Sequence, residues 1–144
     1  MVSIESEIEV TVPPAQVWTE LTDFASYPAW NPFLVEMNAE LREGSEFRAM
    51  SRLPNGLKLG FVGRILSVKP DEEVSWIGRP TVMPARAMEV RHTIRLAPTD
   101  RGTRVHQREE ASGFLIPVSG WILRQAHEGQ VAMNDALQRR LHDG

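Results

Sequence analysis

Two adjacent stretches hold the side chains with the clearest chemical potential: Met88-Glu89-Val90-Arg91-His92-Thr93-Ile94-Arg95-Leu96 and Arg104-Val105-His106-Gln107-Arg108-Glu109-Glu110-Ala111. Alternation in the first puts Met88, Val90, His92, Ile94 and Leu96 on one side and Glu89, Arg91, Thr93 and Arg95 on the other, as in a strand with one wet face. His92 therefore points inward. In the second, Val105 and Ala111 mark the apolar side, and their parity carries Gln107 and Glu109 to it. A compact turn through Thr99-Asp100-Arg101-Gly102 pairs Leu96 with Val105, which sets His92 opposite Glu109 and Ile94 opposite Gln107; a slip by two sets His92 opposite Gln107 instead. An imidazole and a carboxylate away from water must be paired or hydrogen-bonded. Such a pair is a self-satisfied structural contact, a fixed point for the polar end of a ligand, or a general acid–base couple. His92 and Glu109 are the catalytic candidates in the last case, and Gln107 joins them as a ligand contact.

Few other chemistries are open to the chain. It has no cysteine, which removes disulfides, thiolate metal sites and thiol nucleophiles together. His106 should face solvent, His127 and His142 fall in the last helical stretch, and no pair has metal-ligand spacing with carboxylate support, so no metal is expected. Neither a Gly-x-Gly-x-x-Gly or phosphate-loop pattern nor a Gly-x-Ser-x-Gly elbow occurs, and no cofactor is expected. Gly60 and Gly63, isolated in a strand, read as curvature or close backbone approach. A net charge of −3 argues against a nucleic-acid partner, although the arginines leave a local patch open. With no long apolar run and no basic-then-apolar leader, the expectation is a cytoplasmic protein without an integral membrane segment.

A second group of side chains is apolar. The segment Thr22-Asp23-Phe24-Ala25-Ser26-Tyr27-Pro28-Ala29-Trp30-Asn31-Pro32, followed at once by Phe33, gathers four aromatic rings on a stretch that its prolines keep from being one helix. Loops normally lie in water, so these rings must either cap the core or line a pocket. Tyr27 and Trp30 are the favoured ligand contacts, because each brings a polar handle to an apolar wall. Between Gly78 and Met88, two prolines, Met83 and Met88 mark either a pocket-rim loop that adapts to differently shaped apolar partners or a poorly ordered linker.

These residues need elements to hold them. Ile4, Ser6, Ile8, Val10 and Val12 alternate against Glu5, Glu7, Glu9 and Thr11, which predicts a first strand over 4–12. Pro13-Pro14 opens a short helix carrying Val17, Leu21 and Phe24. Strands follow at about 35–41, 45–53, 57–68, 73–79, 87–97 and 103–113, separated by Glu43-Gly44, Pro54-Asn55-Gly56, Pro70-Asp71 and Asp100-Arg101-Gly102, each able to reverse the chain. Beyond Pro117, Ile122, Ala126, Gly129, Met133, Ala136, Leu137 and Leu141 share one side of a long helix, with Arg139, Arg140 and His142 at its negative end.

Such a list makes a single α+β domain over 1–144. A seven-stranded curved antiparallel sheet wraps around the C-terminal helix, with two short helices after the first strand. Small residues at Ala126, Gly129 and Ala136 permit close packing or leave a hollow below the helix. The run VWTELTDFASYPAWNPF, the strand ends ILSVKPDEEVSWIGRP and the stretch RHTIRLAPTDRGTRVHQREEASGFL before the terminal helix resemble the START-like (SRPBCC) helix-grip superfamily, in its polyketide cyclase/dehydrase-like branch. The resemblance covers nearly the whole chain and implies a buried pocket for an apolar ligand. Two functions follow as expectations. One is binding or carriage of a small hydrophobic molecule such as a lipid, polyketide, quinone or similar aromatic. The other is a cofactor-independent cyclase or dehydrase working through His92 and Glu109. The expected ligand contacts are Phe24, Tyr27, Trp30, Phe33, Trp76, Met83, Met88, His92, Gln107, Glu109, Gly129 and Met133.

Overall fold

Strand β1 (Val2–Val10) follows the alternation of its sequence and stops two residues short of the expected end, since Pro13 and Pro14 turn the chain into helix α1 (Pro14–Thr22). A proline in the first turn costs α1 no hydrogen bond, because that N–H has no intrahelical partner. The helix buries Val17, Trp18 and Leu21, and each full burial of a side chain this size contributes about 1.5–3 kcal/mol. A single 3-10 turn (Phe24–Ser26) and the one-turn helix α2 (Tyr27–Trp30) complete the aromatic segment, again with a proline in the first turn. The computed structural model describes residues 1–143; the last residue of the expected 1–144 unit lies outside the described residues.

Six hairpin-linked strands follow: β2 (Leu34–Ala39), β3 (Glu46–Arg52), β4 (Lys58–Lys69), β5 (Glu73–Pro80), β6 (Glu89–Pro98) and β7 (Thr103–Ser112). Their order across the sheet is β1-β7-β6-β5-β4-β3-β2, with every neighbouring pair antiparallel. Bulges at Leu34/Glu36 and Ile65/Ser67 increase the local twist. Gly63 and Gly78 face each other on β4 and β5, where a side chain at Gly63 would strike the Ile77 carbonyl and one at Gly78 the Phe47 ring. Of the two readings of Gly63, curvature or close backbone approach, this contact supports the close approach.

Helix α3 (Gly120–Asp143) lies across the concave face and buries Ala126, Gly129, Gln130, Met133, Asn134, Ala136, Leu137 and Leu141. The result is an α+β helix-grip fold, with the apolar core between α3, the aromatic segment and the inner face of the sheet. Among the described residues no helix is long and apolar enough to cross a membrane.

Candidate functional site

Strand pairing settles the register at the centre of the sheet. Leu96 faces Val105, Ile94 faces Gln107 and His92 faces Glu109, and the slip by two does not occur. The hydrogen bonding nevertheless runs diagonally. His92 Nε2 lies 2.7 Å from Gln107 Oε1, whereas His92 Nδ1 stands 3.7 Å from Glu109 Oε1, an ion-pair separation and too long for a hydrogen bond. Long side chains reach diagonal neighbours on a pleated face, and here the diagonal partner wins.

Three more side chains close the arrangement into a ring. Gln107 Nε2 donates to Asn134 Oδ1 at 2.6 Å, Asn134 Nδ2 to Ser6 Oγ at 2.8 Å, Ser6 Oγ to Gln130 Oε1 at 2.6 Å, and Gln130 Nε2 to Glu109 Oε1 at 3.4 Å. All donors therefore point one way round, and because Gln107 Oε1 only accepts, His92 Nε2 must carry a hydrogen. This leaves Nδ1 directed at Glu109. Burial pushes the Glu109 carboxyl above the ordinary carboxylate range, against the opposing pull of His92, the hydrogen bond from Gln130 and the more distant His127. Trp76 lies over the imidazole with ring centroids 4.9 Å apart and screens it from water.

Ser6, Gln130 and Asn134 were missed by the sequence reading, although the signal was present. Ser6 shares the parity of Ile4 and Ile8, and Gln130 and Asn134 continue from Ala126 in steps of four along the buried face of α3. Ser51 was missed as well: it follows Phe47 and Ala49 in the inward alternation of β3 and is buried.

The hollow expected under α3 is mostly filled. Two small, partly open spaces of about 40 Å³ each remain, one walled by Ile122, Leu123 and Ala126 of α3 and the other bounded by Phe33 and the inner face of the sheet, against the roughly 300–1,000 Å³ of ordinary small-molecule pockets. Phe33, Ser51, Phe61, Val90 and Glu109 line both. Phe33 is the reason the space is small: its ring lies directly on Gly129, where a side chain would collide with it. Gly129 therefore seats an aromatic ring and does not border open space. Larger concavities exist, but they are open grooves on the outside, the largest lined by Glu46, Arg48, Arg64, Arg79 and Glu89 with Val62 and Ile77 between them. A charged, shallow surface of that kind does not bury an apolar ligand.

The other expected contacts divide. Trp76 and His92 line one of the two spaces and Met88 the other. Gln107 stands behind His92 in the ring. Met133 is fully buried in the core and Met83 is half-buried beside Met88, with neither on a cavity wall. The favoured pair, Tyr27 and Trp30, is displaced from the site for a local reason. The Tyr27 hydroxyl donates to the Leu21 carbonyl at 2.6 Å and is pushed up by burial, and Trp30 Nε1 donates to Ser26 Oγ at 3.1 Å. With their polar handles spent inside their own segment, they cap the core: Tyr27 meets Trp30 and Phe24 edge-to-face, and Phe24 meets Trp76 edge-to-face in turn. The loop carrying Met83 is tied down, since Phe114 N donates to Arg86 O and Leu115 N to Ala87 O. No cluster of metal-binding side chains occurs among the described residues.

A family model described as polyketide cyclase / dehydrase and lipid transport matches residues 1–143. Nothing among curated proteins matches the chain. Among solved structures, the di-domain ARO/CYC StfQ from the steffimycin biosynthetic pathway is similar with a TM-score of 0.77 at 13% identity, over 99% of this chain and 51% of that one. Ara h 8.0201 gives 0.75 at 13% identity, covering 99% of each chain. A protein from Nitrosomonas europaea gives 0.73 at 24% identity, over 99% and 95%. At these identities the likeness establishes a shared fold.

Proposed function

Since the chain belongs to the polyketide cyclase/dehydrase and lipid transport family, we propose that it binds or carries a small hydrophobic molecule, such as a lipid, polyketide, quinone or similar aromatic, between α3 and the concave face of the sheet. The observation that carries this reading is the pair of small apolar spaces that share Phe33, Phe61 and the polar wall at Glu109. A fully packed core would not leave two adjoining gaps beside a partnered but titratable acid. Binding requires the Phe33 and Phe61 rings to move, which joins the two spaces. The ligand then replaces the rings' contacts with its own apolar surface, and its burial drives association.

Calorimetric titration of the whole protein with a panel of quinones, flavonoids, aromatic polyketides and fatty acids checks this, combined with native mass spectrometry of the freshly purified protein. One bound molecule per chain in the micromolar range or tighter is expected. A panel that produces no heat and no adduct would sink the proposal.

A second reading rests on one specific feature, the 3.7 Å approach of His92 Nδ1 to Glu109 Oε1 on the cavity wall, where burial raises the carboxyl. In a cyclase or dehydrase that couple would take a proton from a substrate carbon and return it to a leaving or carbonyl oxygen. Mass spectrometry of the ligand after incubation separates the readings. Conversion that is lost in His92→Ala and Glu109→Gln favours the enzyme, and ligand recovered unchanged favours the carrier.

A further inference from the structure

We infer that the site takes an uncharged ligand whose polar end is a hydroxyl or carbonyl group held between Glu109 Oε2 and Ser51 Oγ, and that it discriminates against carboxylates and phosphates on the same skeleton. This rests on the reading of the gap beneath α3 as a ligand site and specifies what that site recognises. Glu109 spends one oxygen on the ring, because both Gln130 Nε2 and His92 Nδ1 address Oε1. No hydrogen bond among the described residues reaches Oε2 or the Ser51 hydroxyl. Both residues are more than nine-tenths buried and both line the two spaces. Neither oxygen is among the side-chain atoms sealed off without a partner, which are Asn31 Nδ2 and Arg108 Nε. The unspent oxygens therefore keep access to open space, and their residues border both gaps on the concave face of the sheet.

A buried polar atom with a free valence facing a cavity is a standing demand for a partner. The chemistry of the wall restricts what can meet it. No lysine or arginine lines either space, and the ionisable residues there are Glu109 and His92 alone. The imidazole already directs Nδ1 at Glu109 and Nε2 at Gln107. An anionic head group would be desolvated beside a carboxyl group with no cation free to pair with it. A ligand hydroxyl both donates and accepts, so it satisfies Ser51 and either protonation state of Glu109. A carbonyl accepts from Ser51 and from the protonated acid, the form that burial favours.

The test uses three probes on one skeleton, 2-methylnaphthalene, 2-naphthol and 2-naphthoate, titrated into the whole protein at pH 8. Naphthol is expected to bind on the order of tenfold more tightly than naphthoate, the scale of one unsatisfied buried polar group. Ser51→Ala should cut naphthol affinity several-fold while leaving 2-methylnaphthalene unchanged. Naphthoate binding as tightly as naphthol, or a naphthol-to-methylnaphthalene ratio unmoved by Ser51→Ala, overturns the inference. If 2-methylnaphthalene binds in either case, the ligand-site reading survives that result. If none of the three binds, the reading and the inference fall together.

Discussion

Phe33→Ala should cost the protein about 3–5 kcal/mol of folding stability while making it a better receptor for small aromatics. The cost follows from removing a ring that is 3% exposed and packed on Gly129, with the void left behind adding to the lost transfer energy. The gain follows because that ring borders both of the existing spaces, so its removal joins them with its own volume. A dry cavity of about 150 Å³ is enough to hold benzene. Urea unfolding of wild type and variant, with and without saturating indole, checks both halves. Indole at about a hundred times its dissociation constant should return roughly 2.7 kcal/mol to the variant, and much less to the wild type. A loss below about 1 kcal/mol, well short of the usual Phe→Ala range, together with no stabilisation by indole, would show that Phe33 does not close the gap.

Glu109→Gln should remove part of the pH dependence of stability and leave the variant more stable than wild type above neutrality. The carboxyl is raised in the folded protein by burial, so the folded state holds its proton more tightly than the unfolded chain does. Its contribution is fully present below the ordinary carboxyl range and is lost as pH rises through the raised value, at about 1.4 kcal/mol for each unit between the two. Glutamine keeps the shape of the neutral acid without a charge to bury, so it carries no such penalty. Other groups titrate too: the hydrogen bond from Arg95 holds Glu73 below the ordinary range, which has the opposite sign. The readout is therefore the difference between wild-type and variant unfolding midpoints across pH 4–9. A difference that widens with rising pH in favour of Glu109→Gln is expected. A constant difference, or one that widens as pH falls, contradicts the assignment.

The register of β6 and β7 was legible because two local constraints agree: the parity of Val105 and Ala111 and the short turn after Leu96. What His92 bonds to was less so. It depends on where Asn134 of α3 pulls the Gln107 amide, a contact across 27 positions that no strand pattern encodes. The aromatic segment shows the same boundary between local and distant information. Its apolar density announced that the rings are buried, yet Tyr27 and Trp30 turned from ligand contacts into caps because Leu21 O and Ser26 Oγ come within hydrogen-bond reach in the folded turns. Gly129 looked like room beneath the helix, whereas it is the seat of Phe33. Volume is a property of facing side chains from several elements, and periodicity in one helix does not report it.

Polar residues at inward positions were the most informative and the most easily overlooked signal. His92, Gln107 and Glu109 stood out against strongly apolar neighbours, while Ser6, Ser51, Gln130 and Asn134 passed as ordinary breaks in amphipathic patterns. Six of them form a chain of hydrogen bonds running one way round, while Ser51 Oγ and the second Glu109 oxygen have no hydrogen-bond partner within the protein. A stability role accounts for the ring. It does not account for the free oxygens.

The central claim is that an apolar molecule enters between α3 and the concave face. Intermolecular nuclear Overhauser effects between labelled protein and unlabelled 2-methylnaphthalene test it most directly. Cross-peaks to Phe33, Phe61, Val90 and Ile122, which line the inner spaces, are the expected result. Cross-peaks to Val62 and Ile77 in the outer groove instead would contradict it.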